Sequence, residues 1–140
     1  MRLCTLLLFT LLMTSTVAAQ QKEEADPYYI YSIYFGGGSY YIDNEQAQGL
    51  SEWLLTVPYI DDCEISIHSH TDNIGSKEYN AWLSKMRSDA AFRKLLLEGI
   101  PSEIISIEDF GELNPIYDNS TWEGKLKNRR VDIIIKPVVL

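Results

Sequence analysis

Two residues fifteen positions apart carry the chemistry that this sequence offers most plainly. Asp72 lies in the stretch Ser69-His70-Thr71-Asp72-Asn73-Ile74-Gly75, and Arg87 follows it in the next apolar-polar run. A carboxylate accepts hydrogen bonds only, whereas a guanidinium donates them in a planar fork. Facing one cleft, the two can hold a molecule that carries an amine and a carboxylate together. The same pair can also be a structural ion bridge with no ligand. A second possibility sits immediately upstream, where His68-Ser69-His70 places two imidazoles on one face of an extended chain, as in some metal-dependent hydrolases. These are the only two histidines in the chain, and a catalytic zinc normally takes three protein ligands, so this reading is the weaker one.

The elements that must position these groups are legible in the periodicity. In residues 63–68, Cys63, Ile65 and Ile67 alternate with Glu64, Ser66 and His68, the pattern of a half-buried strand. Gly75 permits a sharp turn and Ser76 is an N-cap residue, so a helix is expected over 76–98. Asp72 is thereby placed on the loop between strand and helix, with Arg87 about three turns into the helix. The helix should end at Gly99, a left-handed C′ position, with Pro101 just beyond. Leu83, Ser84, Arg87, Ser88, Ala91 and Leu95 form one stripe. Its apolar end is expected on a sheet and its polar end on a cleft wall. Lys77, Lys85, Arg93 and Lys94 read as a solvated face.

Taken together, Thr71-Asp72, Gly75, Asn80, Leu83-Ser84 and Arg87 resemble the pattern T-D-x-x-G-x-x-x-x-N-x-x-L-S-x-x-R of the OmpA-like (OmpA/MotB C-terminal) domain family. Gly111-Glu112-x-Asn114-Pro115 and Asn128-Arg129-Arg130-Val131 resemble its two later motifs, in the same order. The resemblance covers roughly residues 28–136. It implies non-covalent binding of cell-wall peptidoglycan through the diaminopimelate of the stem peptide, no catalysis and no cofactor. By that resemblance Asp72 takes the ammonium and Arg87 the carboxylate, Asn80 and Arg129 line the same site, and Leu83 packs beside them. It also implies that the Gly36-Gly37-Gly38 loop borders the cleft. Substituting Asp72 or Arg87 is expected to abolish binding and leave the fold native. The chain departs from the family pattern at Ser69, Ser88 and Asp109, and the first two are expected beside the ligand.

The rest of the chain fits one domain. Residues 1–19 have a basic start, an apolar run and Val17-Ala18-Ala19 before Gln20, the layout of a secretory signal peptide. Residues 20–27 are polar and read as a disordered lead, leaving 28–140 as the folded domain. Only Cys63 follows the signal segment, so no internal disulfide is expected, and its place on the apolar strand face marks it as a small buried hydrophobe. The formal net charge of −8 disfavours nucleic acid and anionic membranes as partners. The apolar run near the start is too short for a comfortable membrane span, and none is expected in the mature chain.

A first strand is expected over 28–35. A capping box at Asp43–Gln46 predicts a helix to about Val57, with Leu50, Trp53 and Leu54 on the sheet. A third strand is expected over 104–110. A second capping box, Ser120-Thr121-Trp122-Glu123, should open a short helix, and the last strand runs over 130–137. The order β-α-β-α-β-(α)-β gives an α/β fold (an α+β sandwich), with helices on one face of a mixed four-stranded sheet. The expected setting is the periplasm, at the cell wall and outer membrane. The rival readings are an interaction module for envelope or secretion proteins and the His68/His70 hydrolase.

Overall fold

A computed structural model describes residues 28–138, so the signal segment, the polar lead and their expected roles lie outside the described residues. Strand β1 (Tyr29–Tyr34), helix α1 (Asn44–Leu54), strand β2 (Cys63–His70), helix α2 (Lys77–Leu97), strand β3 (Ile105–Gly111), helix α3 (Trp122–Asn128) and strand β4 (Arg130–Pro137) follow one another in that order. The sheet runs β1-β4-β2-β3. Only β2 and β3 are parallel, and they are joined across the sheet by α2, as a parallel pair requires. β4 lies antiparallel between β1 and β2.

Alternation decides which face is buried. Val131, Ile133 and Ile135 of β4 are fully buried together with Ile65 and Ile67 of β2 and Ile33 of β1. Leu50 and Leu54 of α1 and Ala91 and Leu95 of α2 complete that core, so both helices cover the same face. Cys63 joins it as expected. Trp53 is half-buried against Tyr31, with ring centroids 5.2 Å apart. α3 differs, since its buried residues are Gly124 and Asn128 and it adds nothing to the apolar core.

Several local expectations hold and others shift for identifiable reasons. Ser76 caps α2 by accepting from the Tyr79 amide at 3.1 Å. Gly99 adopts φ +85°, and the Ile100 amide reaches back to the Leu95 carbonyl to close the helix. α1 stops at Leu54 rather than Val57, because the Thr56 amide and hydroxyl both bond to the Trp53 carbonyl. β3 begins at Ile105, since Ser102–Ile104 form a single 3₁₀ turn. At α3 the cap is Thr121, not Ser120. Asp118 takes both the amide and the hydroxyl of Ser120, which leaves Thr121 to accept from the Gly124 amide at 3.0 Å. Glu123 pairs instead with Lys127. Gly124 must be glycine, because a Cβ there would lie 1.9 Å from the Asp118 carbonyl oxygen.

Lys94 is a correction to the solvated-face reading. Its ammonium binds the Ser51 hydroxyl at 3.1 Å and the Glu98 carboxylate, tying α2 to α1.

Candidate functional site

The C-terminal end of β2, the N-terminal turns of α2, the loop after β1 and the residue between α3 and β4 converge on one cavity of about 200 Å³. Asp72, Asn80, Leu83, Arg87 and Arg129 all line it. Residues 57 positions apart in the chain thus meet at one point. The convergence follows from topology: β4 lies beside β2 in the sheet, so Arg129, just before β4, is delivered next to Asp72, just after β2.

The pairing within the cavity differs from the simplest expectation. The salt bridge of Asp72 is with Arg129, whose Nε donates to Oδ2 at 2.6 Å, while Oδ1 accepts from the Ile74 amide at 3.0 Å. The Arg129 guanidinium also lies over the exposed Trp122 ring, 4.9 Å from its centroid. Arg87 makes no ion pair with Asp72. Its Nε donates to the Ser39 carbonyl at 2.8 Å, Nη1 to that of His70 at 3.0 Å and Nη2 to that of Gly36 at 3.1 Å. It is fully buried, with its guanidinium 4.9 Å from the Phe35 centroid. Burial pushes its pKa down to about 10, against the opposing pull of Asp72, so it remains charged at neutral pH. Three of its five N–H groups are thereby spent on backbone, and two remain. The expectation that Arg87 can be replaced without harm to the fold is therefore corrected, because it ties the Gly36–Ser39 loop to the end of β2.

Asn80 is 1% exposed and donates through Nδ2 to Glu112 at 2.7 Å. Its Oδ1 is buried without a partner, an arrangement that costs free energy unless something donates to it. Leu83 supplies apolar wall. Residue type and spacing assign no role to Glu112 or Tyr79. Tyr79 lines the cavity and leans on two glycines, since a Cβ at Gly38 would meet its hydroxyl at 3.1 Å and one at Gly75 its ring at 3.1 Å. Both glycines also have positive φ, +68° and +101°. The spacing of Tyr79 four residues before Leu83 was the available signal for a shared helix face.

The departures from the family pattern do not border the cavity, contrary to expectation. Ser69 is buried within β2, and its Oγ has no partner. Ser88 is buried against β3 and donates to Asp109 at 2.5 Å, so two of the departures form one compensating pair. Ser84 likewise faces β3, accepting from the Gly111 amide at 3.1 Å. The polar end of the α2 stripe therefore serves mainly to seat the helix on β3.

His68 and His70 project from the other face of the sheet. His70 stacks on Phe110, with centroids 5.0 Å apart, and lies 4.0 Å from Asp132, while His68 lies 4.0 Å from Glu108. Burial first, and Arg130 second, push the His70 pKa down to about 4. Among the described residues no group of three or more histidine, cysteine or carboxylate side chains is placed to hold a metal ion.

The profile of the OmpA family matches residues 34–129. Peptidoglycan-binding protein ArfA of Mycobacterium tuberculosis is 38% identical over 74 residues, which are 53% of this chain and 23% of that protein. Motility protein B of Bacillus subtilis is 36% identical over 115 residues, covering 76% of this chain and 42% of its own length. This chain thus spans well under two thirds of those relatives. The crystal structure of the peptidoglycan-associated lipoprotein from Burkholderia pseudomallei superimposes with a TM-score of 0.65 at 26% identity, over 75% of this chain and 89% of that one.

Proposed function

The chain belongs to the OmpA family, and from that premise we propose that its cleft binds cell-wall peptidoglycan by gripping the zwitterionic end of diaminopimelate in the stem peptide. The observation that carries this reading is the convergence of Asp72, Arg87, Arg129 and Asn80 on one cavity with hydrogen-bonding capacity left over. The local charges balance, with Asp72 and Glu112 set against Arg87 and Arg129, so the site favours a ligand end that carries both signs. The ligand ammonium shares the Asp72 carboxylate with Arg129, whose single Nε–H leaves other lone pairs free. The ligand carboxylate takes the two unused N–H groups of Arg87, and Asn80 Oδ1 accepts an N–H from the ligand. Groups left with hydrogen-bonding capacity around one cavity suit recognition of a ligand. With relatives that include a peptidoglycan-associated lipoprotein and an export-type start to the sequence, the setting is the bacterial envelope, where the protein holds the wall.

Charge-assisted bonds of this kind contribute roughly 1.5–3 kcal/mol each, and ordering costs leave a modest affinity for a single stem peptide. Sedimentation with purified sacculi tests the proposal. Asp72→Asn keeps the acceptor for the Ile74 amide and removes the charge. It should lose about 2–5 kcal/mol of binding and stay in the supernatant with a native circular dichroism spectrum. A variant that pellets as wild type does overturns the site. The finer assignment is checked with soluble peptides. A stem peptide with lysine in place of diaminopimelate lacks the terminal carboxylate, and it should fail to compete where the diaminopimelate peptide succeeds.

A further inference from the structure

The two arginines of the cleft are held in different ways. Three carbonyls fix Arg87. Among the described residues Arg129 makes a single side-chain hydrogen bond, from Nε to Asp72. One bond fixes a distance and leaves the planar group free to turn about it. Two flanking surfaces limit that turning. The guanidinium carbon lies 4.9 Å from the centroid of the Trp122 ring. On the side of the loop after β1, an added Cβ at Gly37 would sit 3.5 Å from Nη1, 3.6 Å from Cζ and 3.8 Å from Nη2. With these neighbours Arg129 is only 7% exposed, although Trp122 itself is 63% exposed.

Packing does not explain this tryptophan. Trp122 is the first residue of α3, whose buried residues are Gly124 and Asn128, and it takes no part in the apolar core. Nor does it line the cavity. Its ring meets a cation instead, an attraction stronger for tryptophan than for the other aromatic residues. We propose that Trp122 is a positioning residue of the cleft. By covering the Arg129 guanidinium it keeps Nε on Asp72 and aims the two Nη groups at the cavity, where they take the ligand carboxylate together with Arg87. The inference rests on the reading that the zwitterionic end of diaminopimelate occupies the cleft. Once Nε is spent, the four N–H groups on Nη1 and Nη2 of Arg129 remain. A carboxylate offers about four lone-pair sites, more than the two unused N–H groups of Arg87 can fill. Arg129 lines the same cavity and supplies the rest. A guanidinium free to turn would give those donors to water. The ring also shields one side of the Asp72–Arg129 pair, and hydrogen bonds to such a pair strengthen as water is excluded.

NMR titration of the full-length protein with a diaminopimelate-containing stem tripeptide tests this, since it reads weak affinities and the Arg129 Nε–H signal in one experiment. Trp122→Ala, a substitution at an exposed helical position where alanine is favourable, should weaken binding by about three- to tenfold. It should also shift the Nε–H signal and speed its exchange with water, because the ring beside it is gone. Trp122→Phe should recover part of both. The urea midpoint should not move, because the ring lies outside the core. If wild type binds and Trp122→Ala binds equally well, the positioning role is overturned and the cleft reading stands. An affinity loss with an unchanged Arg129 signal also overturns it, since Trp122 would then touch the ligand directly. So does a fall in the urea midpoint that tracks the affinity, which would make the ring a structural element. Wild-type protein that fails to bind the tripeptide sinks the cleft reading, and this inference goes with it.

Discussion

Two neighbouring arginines point to opposite faces of the sheet, and each forms an ion pair with an aspartate. Arg129 Nε meets Asp72 at 2.6 Å beside the cavity, and Arg130 Nε meets Asp132 at 2.9 Å on the face without helices. Viewed as side-chain pairs they are nearly equivalent, both largely buried. Their surroundings separate them. Asp132 is closed off by a hydrogen bond from Ser32 at 2.6 Å and by a second oxygen contact to the same Arg130 Nε, with His70 packed alongside. Asp72 has open space next to it, and the neighbouring Asn80 has an unpartnered oxygen. A buried ion pair becomes a binding site when adjoining polar groups are left for a ligand to satisfy. When its neighbours complete it, it is scaffold.

The largest effect that separates these roles should come from Arg87. Arg87→Ala leaves carbonyls of Gly36, Ser39 and His70 without their donor and opens a void in a fully buried position. A loss of about 3–5 kcal/mol in unfolding free energy is expected, from the stranded carbonyls together with the void left by a large buried side chain. Urea denaturation of the wild type and the variant measures it. Arg87→Lys should recover little, because a single ammonium cannot reach carbonyls arranged around a planar fork. A loss below about 1 kcal/mol would mean that the Gly36–Ser39 loop holds itself, and Arg87 would then belong wholly to the ligand.

That anchoring of the Gly36–Ser39 loop by Arg87 was not legible in the sequence, whereas the set of residues that line the cavity was. Asp72 and Arg87 stand out by residue type and spacing, Asn80, Leu83 and Arg129 only through the resemblance to the OmpA-like pattern, and the alternating strand, the Ser76 cap and the Gly99 stop locate them. What spacing could not give was which acid meets which base. The partner of Asp72 comes from the other end of the domain through the adjacency of β4 and β2, a long-range choice that no local pattern encodes. The partners of Arg87 are backbone carbonyls, which have no letter in the sequence. The same limit explains Thr121, which caps α3 because Asp118 had already engaged Ser120. Ser88 and Asp109, read separately, look like departures, and only the antiparallel packing of α2 on β3 makes them one contact.

On the opposite face, a smaller effect should appear as pH dependence. His70 is held neutral by burial and faces Arg130, Asp132 and His68, with its folded-state pKa near 4 against an ordinary value of 6.5. The unfolded chain therefore takes up a proton at a higher pH than the folded one. Stability is fully present above about 6.5 and falls as pH drops toward 4, by an amount on the order of 2 kcal/mol. Chemical denaturation between pH 7.5 and 4.5 should reveal this slope, and His70→Gln should flatten it. A variant with the same slope as wild type would place the titration elsewhere and weaken the contrast between the two faces.

The smallest expected effect sharpens the boundary of the cleft itself. Ser88 donates to Asp109 at 2.5 Å, and Asp109 is exposed, so a carboxylate freed of this bond is rehydrated rather than stranded. Ser88→Ala should therefore cost only about 0.5–1.5 kcal/mol. In a cycle with Asp109→Ala, the double variant should lose less than the sum of the two single variants, since one contact is being removed twice. Neither residue lines the cavity. Sedimentation with sacculi should accordingly be the same for wild type and all three variants. If Ser88→Ala changes pelleting while Asp109→Ala does not, the serine acts on the ligand site through α2, and the separation between the helix seat and the cleft would not hold.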